Sequence, residues 1–435
     1  MSIKILATAD LHLGKSSSSI PTCKEISVKF SWKRLVEYCI ENKVDVLLLC
    51  GDIVDQDNKY FEAIGTLQAG FEILKKAGIS VYMVAGNHDY NVLPQMVSDN
   101  KYQNVHLLGA NGNWQLEIFE DKNGKKVQFV GWSFPKRSVT ENPLFGFDNI
   151  ILDKNFPVIG LLHGDVDNLL STYGPIKLND LANKPVDIWL LGHIHKPQAL
   201  REHSPSIWYT GSPHALSAKE SGVHGPLLLV VDDKNSISIS SVALSPVRYE
   251  SIQIDISNAN DVEMLRSIIT AAILKEAEIR MIESEDVAYI VYDVCLVGAH
   301  SNSKQIEQWA LPIIKDYNPK IEPNCRISVR KVTNAIRPAI QDLGELAKQP
   351  SPAGILAESI LALEDNRSTP FLEEYIRKWN PRLQDINDAS TYQPLHLTQR
   401  LNQKIDENDS IAKKYVLTEC RRLLGELMMQ QTKID

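Results

Sequence analysis

Residues 44–56, VDVLLLCGDIVDQ, constrain the fold more than any other stretch of the chain. The apolar run 44–50 follows Lys43 and stops at Gly51-Asp52, the pattern of a buried parallel strand that ends at the edge of a sheet. A carboxylate just beyond the last apolar residue, with Gly51 freeing the backbone to turn, stands where open α/β sheets present groups to ligands. A single Gly-Asp pair would read as a turn and nothing more. The arrangement recurs, however. Asp10-Leu11-His12, Gly86-Asn87-His88-Asp89, His163 and Gly192-His193-Ile194-His195 each follow an apolar run, and all bring side chains of metal-ligand type.

Taken in order, 3–9, 44–50 and 81–85 read as strands, with amphipathic helices over about 25–41 and 61–76, the second closing at Gly78. This alternation implies a covered sheet with parallel strands at its centre. The pattern then changes to a hairpin, 114–119 and 127–132, turned at Asn123-Gly124. Strands 158–162 and 188–191 deliver His163 and the Gly192–His195 motif, and short strands at 207–209, 227–231 and 237–242 follow without helices between them. Together these are expected to form a second sheet facing the first, so that residues 1–246 make a β-sandwich flanked by helices. Residues 247–333 carry a β-α-β-α-β pattern and are expected to form a separate small α/β domain. Residues 334–435 read as helical, interrupted by Pro350, Pro352, Pro370, Pro381 and Pro394. Amphipathic helices near 355–363, 395–405 and 411–429 would dock their apolar faces either on the body or on a partner. The fold class is thus α/β (α+β).

Composition bounds the function. With 435 residues, 43% hydrophobic and 23% charged, the chain is an ordinary globular protein long enough for two or three domains. The apolar stretch 5–9 ends at Asp10, too soon for a signal peptide, and no run approaches a membrane span. The six cysteines lie scattered without a C-x-x-C pair, which predicts reduced thiols in a cytoplasmic protein. A net charge of -8 argues against a stand-alone, tight DNA binder held by a broad basic surface, while leaving room for a local basic channel.

Asp10, His12, Asp52, Asn87, His163, His193 and His195 are side chains that suit two divalent metal ions. Oxygen and imidazole donors without thiolate favour manganese, iron or zinc over a structural zinc knot. Two cations roughly 3.5–4 Å apart need a carboxylate between them, and Asp52 is the candidate. Such a pair would acidify a water for in-line attack on phosphorus and stabilise charge on the phosphoryl oxygens. His88, next to the amide ligand Asn87, is assigned a catalytic role, stabilising charge or protonating the leaving oxygen. Asp89 reads as a structural acceptor. Lys15, Lys136, Arg137 and Lys196 are candidates for a substrate rim, with a solvated face the default for Lys136 and Arg137. His214 and His224 read as structural or rim residues.

The order of these motifs resembles that of the calcineurin-like metallophosphoesterases. ADLHLG, the spacing from GDIVD to GNHD, and LLHGD followed by LLGHIHKP look more narrowly like the SbcD-type DNA-repair exonucleases. The similarity covers about residues 3–225. It implies a four-layer metallophosphoesterase β-sandwich with 247–333 as a capping domain, and a manganese-dependent exonuclease and endonuclease acting on DNA. It further implies an SbcC-type, SMC-like coiled-coil ATPase as partner, a homodimer, and docking of the 334–435 helical segment on that ATPase. Some members carry a histidine where this chain has Asp55, so no role is carried over to that position, and 334–435 shows no family motif. Two rival readings keep the chemistry for a nucleotide or phosphoprotein substrate, or keep the fold as a scaffold. The presence of every expected ligand, and of His88, disfavours the scaffold.

Overall fold

The computed structural model describes residues 2–21, 24–55, 60–97, 102–284, 286–300, 303–315, 317, 319–321, 325–338, 343–378 and 406–431. Its first sheet has six strands in the order Ile237–Ser241, Leu227–Val231, Ile3–Thr8, Val46–Cys50, Ser80–Val84, Val105–Leu107. The last four run parallel, in registers such as Ile5 with Val46 and Leu47 with Val81. The second sheet runs Gln198–Arg201, Ser206–Tyr209, Ile188–Gly192, Val158–His163, Lys126–Gly131, Gln115–Glu120.

The hairpin Leu227–Val231 and Ile237–Ser241 corrects the sequence reading, because it closes the first sheet instead of joining the second. Ile3 pairs with Val231 and Ala7 with Leu227, antiparallel. The strand Ile3–Thr8 is almost wholly buried, so the peptide groups on its edge away from Val46–Cys50 require partners, and this hairpin supplies them. Alternating apolar residues reveal which face of a strand is buried but not which sheet it joins.

The continuous apolar run of Val46–Cys50 is explained by burial on both faces. Leu47 and Leu49 point outward to Trp32, Leu35, Leu67 and Phe71 on the helices Val28–Glu41 and Tyr60–Lys76. Val46, Leu48 and Cys50 point inward, with Ile5 and Ala7, to Phe129, Ile159, Leu161, Ile188 and Leu190 of the second sheet. Each such fully buried aliphatic side chain contributes about 1.5–3 kcal/mol of burial free energy. The first helix begins where Ser27 accepts the Phe30 N–H at 3.2 Å, and its buried apolar residues 28, 32, 35, 36 and 39 repeat at helical spacing. The outer face of the second sheet is covered by Phe147 and Leu181 against Trp189 and Leu191.

Beyond the sandwich, the strands Val247–Asp255, Tyr289–Val297, Cys325–Asn334 and Lys320–Ile321 form a sheet in that order, and the helices Val262–Glu283 and Ser303–Lys315 lie between them in sequence. By compactness the chain divides into two units. One comprises Met1–Ile252, Ala271–Val294 and Lys315–Lys331, the other Gln253–Thr270, Cys295–Ile314 and Val332–Asp435. In the second unit, Ala357 and Ile360 of the helix Pro352–Glu364 bury against Val416, Cys420 and Leu424 of the helix Asp406–Gln431. These two apolar faces therefore cover each other. The helix expected near 395–405, with Pro381 and Pro394, lies outside the described residues. Among the described residues no helix is long and apolar enough to cross a membrane.

Candidate metal centre

Because Ile3–Thr8, Val46–Cys50 and Ser80–Val84 are parallel to one another, as are Val158–His163 and Ile188–Gly192, each sheet delivers its strand-end loops at one edge. The two edges meet closely. Gly51 (φ +92°) lies so near His163 that a Cβ there would stand 2.5 Å from Nδ1 and 2.8 Å from Cγ of the imidazole. Backbone bonds lock the loops together, Asp10 N–H to Gly51 O and His12 N–H to Asp52 O, both at 3.0 Å. Asp10, His12, Asp52 and His193 all have left-handed backbones, with φ of 51°, 46°, 52° and 95°. For a non-glycine residue that conformation costs about 1–2 kcal/mol. Four such residues in one place mark strain held at a functional site.

The side chains converge. His163 Nε2 lies 3.1 Å from Asn87 Oδ1 and 3.4 Å from Asp52 Oδ2. His12 Nε2 lies 3.2 Å from His195 Nε2 and 3.9 Å from Asp52 Oδ2, and His88 Nε2 stands 4.0 Å from the same oxygen. Three overlapping groups, Asp10–His12–His195, Asp10–Asp52–His163 and His12–Asp55–His88, each place their candidate ligand atoms within 4.8 Å of one another. His193 belongs to none of the three. Its backbone N–H donates to both Asp10 carboxylate oxygens at 3.1 Å, its ring centroid is 5.4 Å from that of His163, and its Nε2 is turned to Asp165 Oδ2 at 3.7 Å.

Of the rim candidates, Lys15 is half-buried beside His12, whose carbonyl accepts its backbone N–H at 2.9 Å, and its charge acts on His12, Asp55, His88 and His195. Lys196 is exposed immediately after His195. Lys136 and Arg137 are exposed, and Lys136 lines a surface depression with Trp132, Pro143 and Phe145. His214 is buried between the hydroxyls of Ser17 (2.6 Å) and Ser31 (2.7 Å), and buried His224 has Nδ1 3.1 Å from Ser212 O. Asp89, fully buried, accepts N–H groups from Ile53 (2.6 Å), Val54 (3.3 Å) and Gly86 (2.7 Å), tying the Asp52 loop to the Asn87 loop.

Three acidic partners were not singled out from the sequence. Asp55 Oδ1 is 3.1 Å from His88 Nδ1, Glu220 Oε1 is 3.2 Å from His195 Nδ1, and Asp165 faces His193. Asp55 had a local signal, as the second carboxylate of GDIVD. Asp165 closes the LLHGD motif two residues after His163, with no sign in the sequence that it faces His193, and Glu220 had no signal, since a turn distant from His195 in sequence brings it in.

The electrostatics favour a cation here. Burial works against a charged His163, yet Asp52 and Asp10 hold it up at about 9, and although burial opposes it, His163 in turn keeps Asp52 far below the usual carboxylate range. Burial pushes His12 down to about 3 and His193 to about 4, so both present neutral rings. The Nε2 atoms of His12 and His195 face each other at 3.2 Å, a contact of two imidazole nitrogens that a shared proton or a cation relieves. Carboxylate, amide and imidazole donors around that point are the donor set of a hard or borderline divalent metal.

Residues 3–197 match the family model of the calcineurin-like phosphoesterases, and this part of the chain is a calcineurin-like metallophosphoesterase domain. Membership implies a metal-dependent phosphoester hydrolase. The uncharacterised metallophosphoesterase YhaO of Bacillus subtilis is 30% identical over 277 residues, which are 61% of this chain and 66% of YhaO. The DNA double-strand break repair protein Mre11 of Methanopyrus kandleri is 24% identical over 328 residues, 70% of this chain and 72% of that one. The SbcD component of the B. subtilis nuclease SbcCD is 24% identical over 264 residues, 53% of this chain and 66% of that component. The chain thus spans slightly less than two thirds of the two B. subtilis relatives.

Proposed function

We propose that the protein is a two-metal phosphodiesterase that processes DNA ends as an exonuclease and endonuclease in repair. The observation that carries this reading is the convergence of Asp10, His12, Asp52, Asn87, His163 and His195 with His88 beside them. One cation is assigned to Asp10, His12 and His195 and the other to Asn87, His163 and His193, with Asp52 between them and manganese as the preferred ion. When bound, such cations supply Lewis-acid activation of water and of phosphoryl oxygens.

The chain's own groups do the rest. Asp55 accepts the Nδ1 proton of His88 and so directs Nε2 toward the face where Asp52 lies. That hydrogen bond, opposed by partial burial and helped by the Asp52 charge, raises His88 above its ordinary value. A protonated Nε2 donates to the leaving oxygen or to a phosphoryl oxygen. Lys15 and Lys196 stand at the rim for a polyanion, with Lys136 and Arg137 farther candidates.

DNA as the substrate is supported by the Mre11 and SbcCD relatives, one a DNA double-strand break repair protein and the other a subunit of a nuclease, and the second subunit of SbcCD supports an SbcC-type ATPase partner; a homodimer and a cytoplasmic setting are further parts of the same proposal. In the same reading 1–246 is the nuclease domain, 247–333 the cap and 334–435 the segment that docks on the ATPase. Incubating end-labelled duplex and single-stranded DNA with manganese, with and without the ATPase, tests the proposal. Metal-dependent shortening of the labelled strand supports it. The net charge of -8 favours a second reading, in which a nucleotide or phosphoprotein is the substrate. Intact DNA in a preparation that hydrolyses bis-p-nitrophenyl phosphate would select that reading.

A further inference from the structure

Three of the imidazoles at the centre have the nitrogen that faces away from it tied to an acceptor. His163 Nδ1 lies 3.0 Å from the Cys50 carbonyl, His88 Nδ1 3.1 Å from Asp55 and His195 Nδ1 3.2 Å from Glu220. His12 differs, with its Nδ1 buried and without a hydrogen-bond partner. The His195 partner is the most elaborately built. Glu220 Oε2 accepts the Leu216 N–H at 2.8 Å, Oε1 accepts the Ser217 hydroxyl at 3.2 Å, and the Glu220 N–H closes the turn on Ser217 O at 2.9 Å. Its side chain is only 12% exposed. The 216–220 turn therefore holds one carboxylate in a fixed position against His195, twenty-five residues away in sequence.

A carboxylate on Nδ1–H fixes the histidine tautomer, leaves the lone pair on Nε2 and makes that nitrogen a stronger donor. Nε2 of His195 is the atom that faces His12 and completes the group with Asp10. We infer that Glu220 is a positioning residue for one metal position only, the one formed by Asp10, His12 and His195. The position at Asn87 and His163 is independent of it, because His163 is oriented by a backbone carbonyl that no side-chain substitution removes. The inference rests on the two-metal reading above, and it adds that the two positions are supported by different devices and can be weakened separately.

Titrating Mn2+ into the metal-free full-length protein, by calorimetry and by electron paramagnetic resonance for coupled pairs, separates the possibilities. The wild type takes up two Mn2+ per chain. In Glu220→Ala one of the two affinities falls about 10–100-fold, the usual effect of losing such a partner, while the other is unchanged and the coupled-pair signal fades at limiting metal. Glu220→Gln keeps the length of the side chain and loses its charge, so the same affinity falls by a smaller factor. Should Glu220→Ala fail to fold, Glu220→Gln carries the test by itself. Wild-type affinity for both ions in folded Glu220→Gln, or equal weakening of both, overturns the inference. Fewer than two Mn2+ in the wild type overturns the two-metal reading first and this inference with it.

Discussion

Gly86→Ala is the smallest substitution expected to disable the centre. A Cβ on Gly86 would lie 2.7 Å from Asp52 N and 2.9 Å from Asp52 Cγ, and closer still to Oδ1. Comfortable carbon contacts are about 3.5–4.0 Å, so the carboxylate or the Asn87–His88 loop must retreat on the order of 1 Å. Such a retreat strains the bond from His88 N–H to Asp52 Oδ1, now 2.9 Å, and a hydrogen bond to a charged group is worth about 1.5–3 kcal/mol. Overpacking in a buried site costs about 1–3 kcal/mol by itself. A misplacement of about 1 Å at the reacting centre costs on the order of 10²-fold in rate. The assay is denaturant unfolding together with manganese stoichiometry and hydrolysis of bis-p-nitrophenyl phosphate. Gly65→Ala is the matched control, because Gly65 lies exposed in the helix Tyr60–Lys76 with nothing within 4 Å of its Cβ direction. It should leave activity unchanged and add up to about 1 kcal/mol of stability. A Gly86→Ala protein with full metal content and activity within about three-fold of wild type would refute the close-packing argument.

Asp52→Ala removes the carboxylate whose Oδ2 stands 3.4 Å from His163, 3.9 Å from His12 and 4.0 Å from His88, and should lower both metal content and turnover; two tightly bound Mn2+ per chain in that variant would sink the bridging assignment. His88→Ala should keep metal content while slowing hydrolysis by roughly 10²–10⁴-fold, and loss of metal would make His88 a ligand instead. Burial pushes His214 down to about 3, so the folded chain leaves it neutral where the unfolded chain, with an ordinary value of about 6.5, takes up a proton. Its contribution is therefore full above pH 6.5 and declines toward pH 3 by up to about 1.4 kcal/mol per pH unit, and denaturant unfolding of metal-free His214→Gln between pH 4.5 and 6.5 should show a shallower slope than wild type; equal slopes would refute it.

The parts of this molecule that sequence made legible share a physical cause. A parallel strand covered on both faces must be apolar throughout, so Val46–Cys50, Val158–His163 and Ile188–Gly192 stand out, and their abrupt ends locate the loops that carry Asp52, His163, His193 and His195. Where burial is one-sided or the element short, that contrast fades. Val105–Leu107 is three residues long, and Gln198–Arg201 is a partly exposed edge strand, so neither could be read. The placement of Leu227–Val231 beside Ile3–Thr8 depends on an unpaired edge far away in sequence. Glu220 was invisible for the same reason: its meaning comes from a histidine that its own turn does not contain. The helix Pro352–Glu364 was legible as a helix, whereas what covers its apolar face depended on Asp406–Gln431.

Charge is the property most easily misread in this chain. The net value of -8 counts Asp10, Asp52, Asp55 and Asp89, which are 1%, 3%, 2% and 0% exposed. None of these carboxylates presents itself to an approaching polyanion. Asp89 spends its lone pairs on three backbone N–H groups, Asp55 on His88, and Asp10 and Asp52 on histidines and backbone N–H groups of the centre. Two bound divalent cations would offset half of the net charge, at the place where the proposed phosphodiester would lie. Four of the negative charges behind that total are thus held inside the fold, and in the reading proposed above Lys15 and Lys196, beside the histidine motifs, bear on a phosphate substrate more directly than the total does. If this is correct, Lys15→Ala and Lys196→Ala should weaken binding of DNA in a salt-dependent way, each lowering the slope of log affinity against log salt by about 1. Fluorescence anisotropy of a labelled duplex across a salt series measures that slope, and slopes equal to wild type for both variants would place the phosphate contacts elsewhere.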